Sequence, residues 1–394
     1  MLRVLRLSRC LVAAFFFCLA AGSAAQPRGV DAEAALIGIF KAIESNRLGE
    51  ALARTEALIA ARPNYRLAHL IKGDLLLARG RPIGTMGAAP NGPPERLREL
   101  REEARQRLAA YRQRPPADAI PRYLLQLRPD QKHAVVVDTR KSRLYIYENV
   151  GGKPRFVADY YISYGKAGVD KLREGDQKTP LGVYHVTASL PKAKLADLYG
   201  EGAFPINYPN DWDRRNGRGG SGIWLHGTPK DTFARAPRAS DGCVVLTNVD
   251  FQSIAGLIQV GLTPVIISEE VEWLSQDDWN SERTALNAAI EKWRVDWEGR
   301  DHGAYMAHYA RNFLADGMNL KAWNERKRAV NAGKSWIKLS LANLSMFRYP
   351  GKEDMVVVTF DQDYKSNNLS NQMKKRMYWI KDGGRWKIVD EGAA

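Results

Sequence analysis

Two stretches decide the reading of this chain: Ile223-Trp224-Leu225-His226-Gly227-Thr228 and Ser240-Asp241-Gly242-Cys243-Val244-Val245. The first reads as a short apolar strand that ends in a histidine. The second reads as a turn that delivers a cysteine to the start of another strand. Between them runs a loop rich in Pro, Arg and Lys. A thiol with an ordinary pKa of about 8.5 is mostly protonated at neutral pH, so it needs a base beside it to act as a nucleophile. A histidine at one strand end and a cysteine at the next strand start are placed to meet. Gly242 lets the backbone come close to a reacting carbonyl, and the amides of Gly242 and Cys243 are candidate oxyanion donors.

Outward from this pair the chain reads as β-structure. Ala134–Val137 is a compact apolar run, and Arg143-Leu144-Tyr145-Ile146-Tyr147 alternates polar and apolar. Further short strands are expected at residues 156–163, 181–188 and 263–268, and a helix at 248–260. Residues 131–270 are therefore expected to form a mostly-β domain. Residues 26–130 read as a helical region. Its apolar positions recur at three- and four-residue steps, and the spacing of Gly49, Ala51, Pro63, Ala68 and Gly73 is tetratricopeptide-like. Residues 80–94, including Asn91-Gly92-Pro93-Pro94, read as loop. At the other end, residues 271–282 read as an acidic, Trp-containing linker. Residues 283–394 read as an α+β domain: helices at 282–299 and 303–315, then strands closing on the hairpin turn Asp382-Gly383-Gly384.

The histidine and cysteine stretches together resemble the active-site signature of the L,D-transpeptidases with a YkuD-like catalytic domain. Lys178-Thr179-Pro180-Leu181-Gly182 resembles the TPxG segment of the same family. The resemblance implies an all-β, sandwich-like catalytic domain with Cys243 as nucleophile and His226 as base. It further implies that the carbonyl of Gly227 orients the imidazole. Gly242 matches the motif glycine, and Asp241 stands where most of the family has histidine, as in a peptide-trimming branch. The implied substrate is a peptidoglycan tetrapeptide stem. The thiol would attack the third residue, commonly diaminopimelate, and release D-Ala. An amine resolving the thioester makes the chain a transpeptidase; water makes it a carboxypeptidase or amidase. A non-enzymatic, wall-binding scaffold is a further alternative. Substrate contacts are expected from Gly242, Ser240, Asp241, Arg235, Arg238 and Trp224, and Tyr208 and Trp212 are candidates to line a groove. Carboxylates of the stem would pair with the basic loop, which carries Arg214, Arg215, Arg218, Lys230, Arg235 and Arg238. The C-terminal region resembles the cone-shaped nuclear-transport-factor/SnoaL-like superfamily, through Trp293, Trp297, Tyr305, Tyr309 and the strand Arg385-Trp386-Lys387-Ile388. That resemblance makes it a candidate homodimer interface.

Composition limits the alternatives. The 394 residues carry 45% hydrophobic and 26% charged residues, ordinary for a multidomain globular chain. Residues 1–25 combine three arginines, the apolar run 10–21 and small residues at Ser23-Ala24-Ala25, the layout of a secretory signal peptide. Its removal would leave Cys243 as the sole cysteine and lower the net charge from +15 to +12. A periplasmic location follows from this reading, with no stable membrane span after cleavage. The positive charge is spread along the chain, which together with export argues against nucleic acid as a partner. No cluster of ligands has metal spacing and no phosphate loop is present, so neither metal nor cofactor is expected.

Overall fold

The computed structural model describes residues 31–88, 92–351 and 354–394. The expected signal peptide lies outside the described residues, as does Asn91 of the expected loop. A helical N-terminal region, a β-rich middle and an α+β C-terminal part follow one another along the chain.

The middle is built around a five-stranded sheet of Lys153–Tyr161, Arg143–Val150, His133–Asp138, Pro264–Ser268 and Gly182–His185, in that spatial order. Its central strand is apolar on consecutive residues because both faces are covered, and successive side chains point to opposite faces. Val135, Val137, Leu144 and Ile146 face a core shared with Leu225, Val244 and Phe251. Ala134, Val136, Tyr145 and Tyr147 face a second core shared with Phe347, Val357 and Tyr378 of the C-terminal sheet. A four-stranded sheet, Val244–Val245, Trp224–His226, Gly202–Pro205 and Leu190–Pro191, covers the first of these faces.

The C-terminal part curls a sheet around helices Gln276–Glu298 and Leu320–Ala332, which bury Trp293, Trp297 and Trp323 against Phe360 and Trp379. Three expectations need correction here. Residues 276–282, expected as linker, open the long helix, because Ser275 caps it and accepts from the amide of Asp278. The helix expected at 303–315 is only His302–Met306, and Leu320–Ala332 was not anticipated. Ile120–Pro121 and Leu124–Gln126, inside the stretch expected to be helical, are strands. The first pairs with Trp273–Leu274; the second adds an edge to the C-terminal sheet beside Ile337–Arg348.

Helices Ala32–Glu44, Leu48–Ala61, Arg66–Leu77 and Pro94–Arg112 form a layer with its own core, which includes Leu36, Ile39, Leu58 and Leu67. This layer is bound to the middle sheet by buried charge. Arg107 pairs with Glu103 at 2.9 Å and with Glu33, and Arg143 of the sheet pairs with Glu33 at 3.0 Å. The guanidinium of Arg107 lies over the Tyr161 ring, 3.7 Å from its centroid.

Candidate active site

His226 ends its strand and Cys243 immediately precedes the strand Val244–Val245. These two strands run parallel, with Leu225 beside Val244 and His226 beside Val245. The pairing brings the two sequence stretches to one sheet edge, as their spacing suggested. The imidazole is buried, and its Nδ1 lies 2.7 Å from the carbonyl of Gly227. A carbonyl can only accept, so Nδ1 carries the proton and Nε2 keeps its lone pair. Burial pushes the His226 pKa down to about 4; the Gly227 carbonyl opposes this and the charge of Arg235 adds to it. The ring is therefore neutral across the physiological range.

Cys243 is a half-buried free thiol whose Sγ donates to the carbonyl of Gly222 at 3.3 Å. Burial raises its pKa, against the opposing effects of the Trp224 amide, Arg235 and Lys171. At rest the pair is thus a thiol and a neutral imidazole. Asp241, two residues before the thiol, is exposed and pairs with Lys166 at 2.9 Å.

The turn before Cys243 is tightly determined. Gly242 has φ of +125°, and a Cβ there would lie 2.7 Å from the carbonyl oxygen of Lys178. Thr179 of the TPxG-like segment accepts from the amide of Gly165 and donates to the carbonyl of Gly242, both at 2.9 Å. Ser240 Oγ donates to the carbonyl of Cys243 at 2.6 Å and accepts from the amide of Gly242 at 3.1 Å. This corrects one expectation: the Gly242 amide is spent on Ser240, so Cys243 is the remaining backbone donor of the proposed pair.

Two positioning side chains were missed in the sequence. Asn248 Oδ1 accepts from the amides of Glu201 and Thr228, and its Nδ2 donates to the carbonyl of Thr228. It thereby pins the turn whose Gly227 carbonyl holds the imidazole. Its position as the first residue of a helix, directly after Thr247, which caps that helix, was a signal that could have marked it. Tyr199 packs edge-on against His226, with ring centroids 5.1 Å apart, and lies 4.7 Å from the ring of Trp224.

The basic loop divides. Arg214 pairs with Asp211 and Arg218 with Asp170, while Arg215 donates to the carbonyls of Asn312, Leu314 and Val389 and pairs with Asp390. Those three arginines hold structure, Arg215 across to the C-terminal part. Arg235 and Arg238 line a cleft beside the loop; Arg235 lies in the field of Cys243, and Arg238 Nε donates to the hydroxyl of Tyr164 at 3.1 Å. Tyr208 is buried in the core, and Trp212 packs on Tyr349 and Tyr378 between sheets, so neither lines a groove at Cys243. Among the described residues no group of three His, Cys, Asp or Glu side chains gathers as metal ligands.

Comparison with known proteins agrees with this geometry. Residues 132–267 match the L,D-transpeptidase catalytic domain family, YkuD, and residues 285–392 match the Cds6 C-terminal NTF2-like domain family. The structure of Bd1075 from Bdellovibrio bacteriovorus is similar at 31% identity and a TM-score of 0.62, over 70% of this chain and 98% of that one. Pgp2 from Campylobacter jejuni, described as a helical cell shape determining protein, is similar at 26% identity and a TM-score of 0.59, over 68% of this chain and 95% of that one. A search of curated proteins gives no match.

Proposed function

The chain belongs to the L,D-transpeptidase family, and on that premise we propose that it is an exported, cysteine-dependent acyltransferase acting on peptidoglycan tetrapeptide stems. Cys243 Sγ attacks the carbonyl of the third stem residue. His226 Nε2 takes the thiol proton during attack and gives it to the departing amine of D-Ala, leaving a thioester on Cys243. The amide of Cys243 is the proposed oxyanion donor. An amine of a second stem then resolves the thioester to a cross-link. The observation that carries this reading is the hydrogen bond from His226 Nδ1 to the Gly227 carbonyl, which leaves Nε2 as a base at the edge that carries the thiol.

A second reading has water resolving the thioester, an L,D-carboxypeptidase. The exposed carboxylate of Asp241, two residues before the thiol, favours it: Oδ1 pairs with Lys166, and the other oxygen offers an acceptor for a water. The likeness to a protein described as determining helical cell shape supports a role in shaping the wall. Export rests on the N-terminal sequence. Among the described residues no helix is long and apolar enough to cross a membrane. Incubating the purified chain with disaccharide tetrapeptide tests these readings. Cross-linked dimers plus D-Ala support transpeptidation; tripeptide plus D-Ala without dimers supports hydrolysis. No D-Ala release would refute both.

A further inference from the structure

The helix Pro94–Arg112 faces the loop 229–239 across a cleft of about 800 Å³. The loop is the one that joins His226 to Cys243, and the N-terminal helices hold its shape. Asn64 Nδ2 donates to the carbonyl of Lys230 at 2.9 Å, and the Phe233 ring packs on Tyr65 at 4.6 Å between centroids. Tyr161, beneath Arg107, donates its hydroxyl to the carbonyl of Arg235 at 2.9 Å. These helices lie outside both segments that match known families.

The two walls of the cleft differ in composition: one is basic, the other mixes carboxylates with arginines. The loop wall carries Arg235 and Arg238. Arg235 lies in the field of both Asp241 and Cys243, and Lys166, which also lines the cleft, pairs with Asp241 two residues before the thiol at 2.9 Å. The helix wall carries carboxylates interleaved with Arg66, Arg96 and Arg98. Three of them are already matched by arginines: Glu95 by Arg98, Glu99 by Arg96 and Glu103 by Arg107. Glu102 has no ion pair among the described residues, and it lies in the field of Arg98 on its own helix and of Arg238 across the cleft. One carboxylate without an ion pair, facing two guanidinium groups across the cleft, suits a ligand that carries both signs.

We propose that the N-terminal helices complete the substrate site, the cleft taking a zwitterionic segment of the peptide with its carboxylate on Arg235 and Arg238 and its free amine on Glu102. This rests on the peptide-substrate reading above. The test compares kcat/KM of the full chain on disaccharide tetrapeptide with its side-chain amine free and with that amine acetylated. The free form should be preferred about tenfold, the effect of one charge-assisted hydrogen bond. Glu102→Gln should bring the preference near unity while leaving the melting temperature and the rate of Cys243 alkylation by iodoacetamide unchanged. No preference in the native chain, or a preference that survives Glu102→Gln, would overturn the cleft assignment. Turnover that survives Cys243→Ala would instead overturn the cysteine-dependent reading on which it rests.

Discussion

Protonation of His226 is the most exposed consequence of the geometry. Burial carries its pKa down to about 4. At pH 5.5 such a ring is about 3% protonated, whereas an ordinary histidine of pKa about 6.5 would be about 90% protonated. The base should therefore survive mild acid almost intact. The perturbation is Tyr199→Ala, which removes the ring packed 5.1 Å from the imidazole and admits water to that side. With one wall of the pocket gone, the midpoint should rise by about 1 toward the ordinary value. The assay is a ring-nitrogen NMR titration of histidine-labelled protein, with the His226 signal assigned by its loss in His226→Gln. The expected midpoints are near 4 for the native chain and near 5 for Tyr199→Ala. The sign for stability follows. The unfolded chain takes up the proton first, so this contribution is full above pH 6.5 and is lost progressively as pH falls to 4, about 3 kcal/mol in all. A native His226 that titrates near 6.5 would refute the reasoning, because the ring would then be a solvated histidine and the cation would dominate below neutrality.

Asn248→Ala removes the acceptor for two backbone amides and the donor to the Thr228 carbonyl; it should cost about 1–3 kcal/mol of stability and lower kcat about tenfold, with partial rescue by Asn248→Asp, read by melting and steady-state kinetics. Gly242→Ala puts a methyl 2.7 Å from the Lys178 oxygen at a φ of +125°; strain of about 1–3 kcal/mol should lower kcat about ten- to hundredfold with the far-UV spectrum unchanged. In the C-terminal part, Glu391 lies buried 2.7 Å from Lys375 and accepts from the Tyr309 hydroxyl at 3.0 Å. Although burial works against its ionisation, Lys375 and Lys327 hold its pKa below the usual carboxylate range. Glu391→Gln strands Lys375 and should cost about 3 kcal/mol in denaturant titration, while Glu391→Leu combined with Lys375→Met should recover most of it.

Much of the site was legible because its parts are local. His226 and Cys243 carry their meaning in residue type and motif, and Gly242 in a backbone shape that only glycine adopts without strain. The apolar run Ala134–Val137 read as a strand, and it lies within the strand His133–Asp138. Less legible was everything that depends on distant partners. Arg215 looks in the sequence like its basic neighbours, and only the fold shows it spent on Val389 and Asp390. Ser240 competes for the Gly242 amide through a turn that spacing alone does not reveal. Leu124–Gln126 is too short to show a strand period, and its partner strand begins more than two hundred residues later. The helix Leu320–Ala332 has a single buried residue, Trp323, so its apolar stripe is too thin to read.

The central claim is a thioester on Cys243, and mass spectrometry of the chain quenched in acid during turnover of disaccharide tetrapeptide tests it most directly. The account predicts an adduct of the disaccharide tripeptide acyl group on the peptide that contains Cys243, formed with release of D-Ala and absent from Cys243→Ala. Release of D-Ala by Cys243→Ala at the native rate would contradict it.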